Sequence, residues 1–133
     1  MPLDANENLT ERSPFSKSLG VKIEQFNNGY CLCTLEIKDH LLNTHKAVHG
    51  GVIYSLADIG MGAALYSTLD DERCSTIEIK INYLNPAHTG NLLCEAKVIQ
   101  KGRSIAVLEA EIKSDEKVIA KAMGTFTIFK NKK

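Results

Sequence analysis

One segment constrains the fold of this 133-residue chain more than any other: KAVHGGVIYSLADIGMGAALYS, at residues 46–67. Its part from about residue 50 to residue 67 is apolar on nearly every side of a helix, as expected of a helix that is enclosed by protein. The apolar run at residues 52–66 is 15 residues long and is interrupted by Asp58, so it is shorter than the roughly 20 residues that a bilayer requires. We therefore expect a buried helix, no membrane association, and a reason for a carboxylate in apolar surroundings.

Alternating apolar and polar residues predict β-strands on both sides of this helix. Before it, the alternation runs on either side of Asn27-Asn28-Gly29, which predicts a β-hairpin with its turn at 27–29. After it come four alternating stretches that are separated by turn residues, at 74–86, 91–102, 104–114 and 117–129. In the first of these, alternation places Ile77, Ile79, Ile81 and Tyr83 on one face.

The chain begins with a polar segment, residues 1–12, which we expect to be flexible. A short helix is predicted next, with Ser13 as its N-cap, Pro14 at its first position and Gly20 at its end. The resulting order, β-β-α-β-β-β-β, separates the strands from the single long helix. This order predicts an α+β fold in one domain over residues 13–130.

The composition of the long helix favours self-association. Small residues are common in it, and they allow close approach of backbones but fill little space. One helix and about six strands do not easily cover such a segment. A homodimer with a continuous sheet would help, because it would also remove an exposed edge strand.

Charge and cysteine content limit the classes of function. Lys plus Arg and Asp plus Glu both equal 16, so the net charge of zero gives no global attraction to nucleic acid or to an anionic membrane. No helix-turn-helix segment is visible. The four cysteines form no CxxC pair and no zinc-finger spacing, and the polar start lacks a secretory signal. Two disulfides are possible in principle, but we expect reduced, buried thiols and a cytoplasmic protein.

The start of the long helix, His49-Gly50-Gly51, is the first candidate for chemistry. Glycines are poor helix formers, but without side chains the first N–H groups of a helix come close to a ligand. Those groups are unpaired and lie at the positive end of the helix dipole, where they would stabilise a carbonyl oxygen that gains negative charge. The alternative is that Gly50 and Gly51 only permit tight packing under the sheet.

Asp58 is the second candidate, either as a general base on water or as a nucleophile. Alternatively, it is a carboxylate that is hydrogen-bonded to Ser55 or to nearby backbone. His49 and Asp58 are nine positions apart, which places them about 180° apart around a helix and roughly 13–14 Å apart along it. One chain therefore does not bring both to the same atom, and a shared site needs the helix start of a second chain.

Other sites have less support in the sequence. His45 and His49 are four residues apart, but no third ligand stands nearby, so we expect no metal. There is no phosphate-binding GxxxxGK[ST] segment and no motif for a Ser-His-Asp triad. The basic turn QKGRS, at residues 100–104, is either a solvated hairpin or a phosphate contact through Lys101 or Arg103.

The segments LLNTHKAVHGGVIYSLADIGMGAAL and IKINYLNPAHTG together resemble the hotdog-fold acyl-CoA thioesterases, with the PaaI type (phenylacetate degradation) as the most similar subgroup. The resemblance covers roughly residues 14–129. It implies a long central helix wrapped by a curved antiparallel sheet of five to six strands, in a dimer with a continuous sheet. It also implies hydrolysis of an acyl-CoA, without a cofactor, at a site in the dimer interface. As a separate expectation, two dimers pair into a homotetramer.

The resemblance implies a role for each matching residue. Gly50 would donate its N–H to the thioester carbonyl, and His49 would position that N–H and the sulfur side of the substrate. Asp58 of the other chain would act as general base or nucleophile. Asn43 would orient the attacking water or the aspartate, and Thr76 would assist the aspartate. Strict strand alternation places Thr76 on the opposite face from Ile77, so this role requires a bulge or a strand end.

Further residues are expected to contact the substrate. The acyl pocket would be lined by helix residues such as Tyr54, Met61 and Leu65 and by residues of the partner chain. Gly51, at the helix start, is a further substrate-binding candidate. The nucleotide end of CoA would lie on the surface, where the candidate contacts are Lys101, Gly102, Arg103 and Ser104. Two alternatives to a thioesterase remain. One is a hotdog hydratase or dehydratase, and the other is a non-catalytic acyl-CoA binder, which would not need Asp58.

Overall fold

The computed structural model describes residues 13–130, so the predicted flexible segment 1–12 lies outside the described residues. The elements follow the predicted order: α1 (Pro14–Leu19), β1 (Val21–Asn27), β2 (Tyr30–Glu36), a 3₁₀ turn (Asp39–Leu41), α2 (Gly50–Tyr66), β3 (Glu72–Tyr83), β4 (Asn91–Lys101), β5 (Ile105–Ser114) and β6 (Lys117–Lys130). The α+β fold class is confirmed.

Local sequence explains the first elements. The Ser13 side chain caps α1 by accepting from the Ser16 N–H at 3.2 Å, and Gly20 ends the helix in the left-handed region at φ 83°. The β1–β2 hairpin turns through Asn28 (φ 50°) and Gly29 (φ 80°), the pair of positive φ angles that a two-residue hairpin turn needs.

The six strands form one antiparallel sheet in the order β1-β2-β4-β5-β6-β3. The sheet curves around α2, which contacts every strand. Between them lies a single core, whose largest fully buried side chains include Ile23, Leu35, Leu56, Leu92, Leu108, Ile112 and Phe126. Strands β1 and β3 are the two edges of the sheet, so the enclosure of α2 leaves a seam between these edges.

Strand β3 corrects one prediction. Its pairing with β6 shifts between Thr76 and Glu78, so Ile77 is the extra residue of a β-bulge. Ile77 is 54% exposed, whereas Ile79 packs against the core. The prediction that Ile77 shares a face with Ile79 is therefore wrong, because the bulge breaks the strand alternation at that point.

The four cysteines are free, as expected; Cys31, Cys33 and Cys94 are buried and Cys74 is half-buried. A hydrogen bond with Cys33, together with burial, raises the pKa of the Cys31 thiol far above its usual range. These thiols behave as small apolar core groups.

Among residues 13–130, none of the helices has the length and the hydropathy that a membrane-spanning helix needs.

Close approach of α2 to the sheet depends on Gly60. A Cβ atom on Gly60 would lie 2.8 Å from the Cys94 Sγ atom and 3.5 Å from the Ala96 Cβ atom. The other mid-helix glycine, Gly62, has room, since the nearest atom to a Cβ there would be a Phe126 ring carbon at 3.8 Å.

We expect Gly60→Ala to lower the free energy of unfolding by about 1–3 kcal/mol, because the added methyl group overpacks the helix–sheet interface. Gly62→Ala is the matched control. It should be neutral or stabilising by up to about 1 kcal/mol, because alanine is the better helix former. Urea denaturation of both variants measures the difference, and equal stability would contradict the close packing at Gly60.

Candidate active site

A tight loop before α2 positions the helix start. Leu42 and Val48 pair as an isolated antiparallel bridge, and the Asn43 Oδ1 atom accepts from the backbone N–H groups of His45 at 2.8 Å and Ala47 at 3.1 Å. The Asn43 side-chain oxygen is thus engaged within its own loop. In the structure, Asn43 shapes the loop that leads to His49.

The first turn of α2 has one occupied and one free N–H group at its glycines. His49 is the N-cap, and its Nδ1 atom accepts from the Gly51 N–H at 2.8 Å, which means that this nitrogen carries no proton. The Gly50 N–H makes no hydrogen bond within residues 13–130. Gly50, rather than Gly51, therefore presents the free donor at the positive end of the helix dipole.

Tyr83 is a contact of the helix start that sequence reasoning missed. Its hydroxyl donates to the Gly50 carbonyl oxygen at 2.9 Å, and its ring would lie 3.3 Å from a Cβ atom on Gly50. Burial, and then the nearby Tyr54, raise the pKa of Tyr83, so its hydroxyl stays protonated at neutral pH. The two residues are 33 positions apart, and no spacing in the sequence connects them.

Asp58 lies in the middle of α2 and faces the seam between β1 and β3. It is half-buried, and its Oδ1 atom accepts from the Thr76 hydroxyl at 2.7 Å. The bulge at Ile77 supplies the change of face that this contact requires. Ser55 does not hold the carboxylate but donates to the Gly51 carbonyl oxygen, and no ion pair between described residues involves Asp58.

A cleft of about 320 Å³ opens beside Asp58 along the seam. The cleft is lined by residues of α2, β3 and β6, by residues of α1 and β1 and by the N-cap Ser13. The lining residues include Asp58, Ile59, Gly62, Ala63, Tyr66, Cys74, Thr76, Phe126, Ser13, Ser16 and Ile23. Burial, and then the charge of Asp58, raise the pKa of the Cys74 thiol, so Cys74 is an uncharged wall of the cleft at neutral pH. Asp58 is the acidic group that the cleft presents to a ligand.

The other predicted contacts lie apart from this cleft. Met61 is fully buried, and its side chain packs against Gly124 rather than lining the cleft. Tyr54 is 37% exposed on α2. The turn from Gly102 to Ser104 is exposed. The adjacent Lys101 ammonium donates to the carbonyl oxygen of Thr68 at 3.1 Å, and Thr68 lies just beyond the C-terminal end of α2.

Within one chain, the two main candidates for chemistry are separated. Helix α2 runs without interruption from Gly50 to Tyr66, so Gly50 and Asp58 lie about 12 Å apart along its axis. One thioester carbonyl does not contact both. No group of three or more His, Cys, Asp or Glu side chains is placed to hold a metal ion in the part of the chain that the structure describes.

Comparison with known proteins gives the family. The model of the thioesterase superfamily matches residues 45–121. A putative esterase of Saccharolobus solfataricus is 33% identical over 98% of this chain and 95% of its own length. The medium/long-chain acyl-CoA thioesterase YigI of Escherichia coli is 25% identical over 86% of this chain and 85% of its own length.

The solved structures confirm the hotdog fold. The PaaI protein of the phenylacetic acid degradation operon of Escherichia coli superposes with a TM-score of 0.85 and 26% identity, over 93% of this chain and 88% of that chain. The predicted resemblance to PaaI-type thioesterases is thereby confirmed. On the family match, the relatives and the fold, this chain belongs to the thioesterase superfamily, the enzymes that hydrolyse thioesters.

Proposed function

We propose that this protein hydrolyses an acyl-CoA to the free acid and CoA, at a site that two copies of the chain share. The observation that carries the proposal is the placement of the two reactive groups. Asp58 faces an open cleft and accepts a hydrogen bond from Thr76, while the free Gly50 N–H lies about 12 Å away on the same helix. Each copy would then contribute one half of a site.

The reaction follows from the chemistry of these groups. Acting as a general base, Asp58 takes a proton from water while the water oxygen attacks the thioester carbonyl carbon. The negative charge that develops on the carbonyl oxygen is stabilised by the Gly50 N–H of the second chain and by the dipole of its helix. Collapse of the intermediate breaks the C–S bond and releases CoA as the thiolate. The thiolate then takes up the proton that Asp58 removed from water.

A covalent route uses the same residues. Asp58 attacks the carbonyl carbon to form a mixed anhydride and releases CoA, and water then hydrolyses the anhydride. In either route Thr76 orients the carboxylate and His49 keeps the Gly51 N–H occupied. Water and the thioester are the reactants, and no cofactor takes part.

The edge strand β3 supports a shared site. Gly50 contacts Tyr83 near one end of β3, and Asp58 contacts Thr76 towards the other end. If two β3 edges pair antiparallel about a two-fold axis between Ile79 and Lys80, Tyr83 of one chain lies opposite Thr76 of the other. That register brings the Gly50 N–H of one copy towards Asp58 of the second, and it also covers the exposed edge.

We propose that the CoA moiety binds at the surface. The relative YigI is a medium/long-chain acyl-CoA thioesterase, which supports a CoA thioester as the substrate. The exposed turn with Lys101, Arg103 and Ser104 offers two cationic side chains, which suit the phosphates of CoA.

We further propose a homodimer as the active unit and a pair of dimers as the complete assembly.

We expect Asp58→Asn to lower kcat by about 100-fold or more with little change in KM, because the amide cannot take the proton. The assay mixes octanoyl-CoA or phenylacetyl-CoA with the enzyme and follows free thiol. Asp71→Asn, at an exposed aspartate, is the matched control and should leave kcat unchanged. If kcat of Asp58→Asn is within a few-fold of the wild-type value, the role of Asp58 is refuted. If the wild type binds the acyl-CoA but does not hydrolyse it, a non-catalytic acyl-CoA binder is favoured.

The Gly50 N–H is tested by a pair of variants. Gly50→Pro removes the N–H, and the backbone tolerates it because proline suits the first helical position and His49 already has φ −62° and ψ 137°. Gly50→Ala keeps the N–H and adds a similar carbon beside Tyr83. We expect kcat of Gly50→Pro to be about 100-fold below that of Gly50→Ala. Equal kcat values would show that the N–H is not the oxyanion donor.

A further inference from the structure

Ser16 is a buried polar residue that the proposed reaction does not use. It is 5% exposed, and it is the one polar residue in the buried core of the described chain. Its backbone is engaged, since its N–H donates to the Ser13 hydroxyl and its carbonyl oxygen accepts from the Gly20 N–H at 3.1 Å. Its side-chain hydroxyl makes no hydrogen bond within residues 13–130.

The fold gives no reason for this hydroxyl. A buried hydroxyl without a partner is destabilising, and alanine at this helical position would be the better helix former. The neighbouring serines of α1 are different, because Ser13 caps the helix and the exposed Ser18 donates to the Phe15 carbonyl oxygen at 2.7 Å. Ser16 therefore has the character of a group that is kept for a ligand.

The position of Ser16 indicates which ligand. It lines the same cleft as Asp58. Along that cleft, α2 presents one face from Asp58 to Tyr66, which spans about 12 Å. The volume of about 320 Å³ is roughly twice that of a cavity that holds benzene. The cleft thus fits an acyl group of about a dozen non-hydrogen atoms, with its thioester carbonyl at Asp58.

We propose that the Ser16 hydroxyl binds an oxygen atom on the acyl group, so that the preferred substrates are thioesters of oxygenated acids of medium length. This inference rests on the proposed thioesterase function. The walls of the cleft are largely apolar, with Ile23, Ile59 and Ala63 among them. A hydroxyl or keto oxygen on the acyl group would form a hydrogen bond with the Ser16 hydroxyl, whereas a plain hydrocarbon chain would leave that hydroxyl without a partner. A site with a buried polar group selects against substrates that leave the group unpaired.

The test compares kcat/KM for octanoyl-CoA and for its 4-, 6- and 8-hydroxy derivatives. We expect the wild type to prefer at least one hydroxy derivative over octanoyl-CoA by about 10-fold or more. Ser16→Ala should reduce that preference to about 1. Ser18→Ala, on the exposed side of the same helix, is the matched control and should keep the wild-type preference.

A second measurement needs no substrate. If the hydroxyl is unpaired in the free protein, Ser16→Ala should unfold at a urea concentration equal to or higher than that of the wild type. A clearly lower midpoint would show that the hydroxyl has a structural partner and would overturn the inference.

The outcomes separate this inference from the proposed function. Equal kcat/KM for octanoyl-CoA and all three hydroxy derivatives, or a preference that persists in Ser16→Ala, overturns the role of Ser16 and leaves thioester hydrolysis intact. If the wild type hydrolyses none of the octanoyl thioesters but hydrolyses phenylacetyl-CoA, the role of Ser16 is overturned and thioester hydrolysis stands. If it hydrolyses neither the octanoyl thioesters nor phenylacetyl-CoA, both proposals are overturned.

Discussion

The structure depends on how one apolar helix is enclosed. A six-stranded sheet wraps α2, but its two edges, β1 and β3, do not pair with each other. The seam between them is where a carboxylate on this helix escapes the cost of complete burial. Asp58 lies at that seam, and Thr76 holds it by a hydrogen bond of 2.7 Å. The enclosure that stabilises the fold thereby also sets the position of the acid.

The same helix imposes a second constraint. It is rigid and continuous, so the free N–H at its start and the acid in its middle remain about 12 Å apart. Strand β3 contacts both places, through Tyr83 and Thr76, and it is an edge strand with one unpaired side. A strand that touches both halves of a site and has a free edge suits the pairing of two copies. In this account, the assembly and the chemistry have the same structural origin.

Much of the fold was predictable because periodicity within a segment reports which face is buried. The long helix, the hairpin at 27–29 and the order of helix and strands along the chain follow from such patterns, and the helix start and Asp58 stand out as exceptions to them. The bulge at Ile77 was not readable from alternation, although the role of Thr76 required either a bulge or a strand end. Long-range contacts such as Tyr83 with Gly50 were not predictable either, since no local spacing encodes them.

Met61 fits the helix pattern equally well as core or as pocket, and its burial decides for core. Ser16 has the sequence context of an ordinary helical serine, and only tertiary packing buries it.

The most direct test of a site shared between two chains is complementation. Chains that carry Asp58→Asn and chains that carry Gly50→Pro are co-expressed with two different affinity tags, and the mixed dimer is purified through both tags. One of its two sites then combines an intact Asp58 with an intact Gly50, so we expect about half of the wild-type kcat per dimer, although each parent dimer is nearly inactive. A mixed dimer that is as inactive as its parents would contradict the shared site.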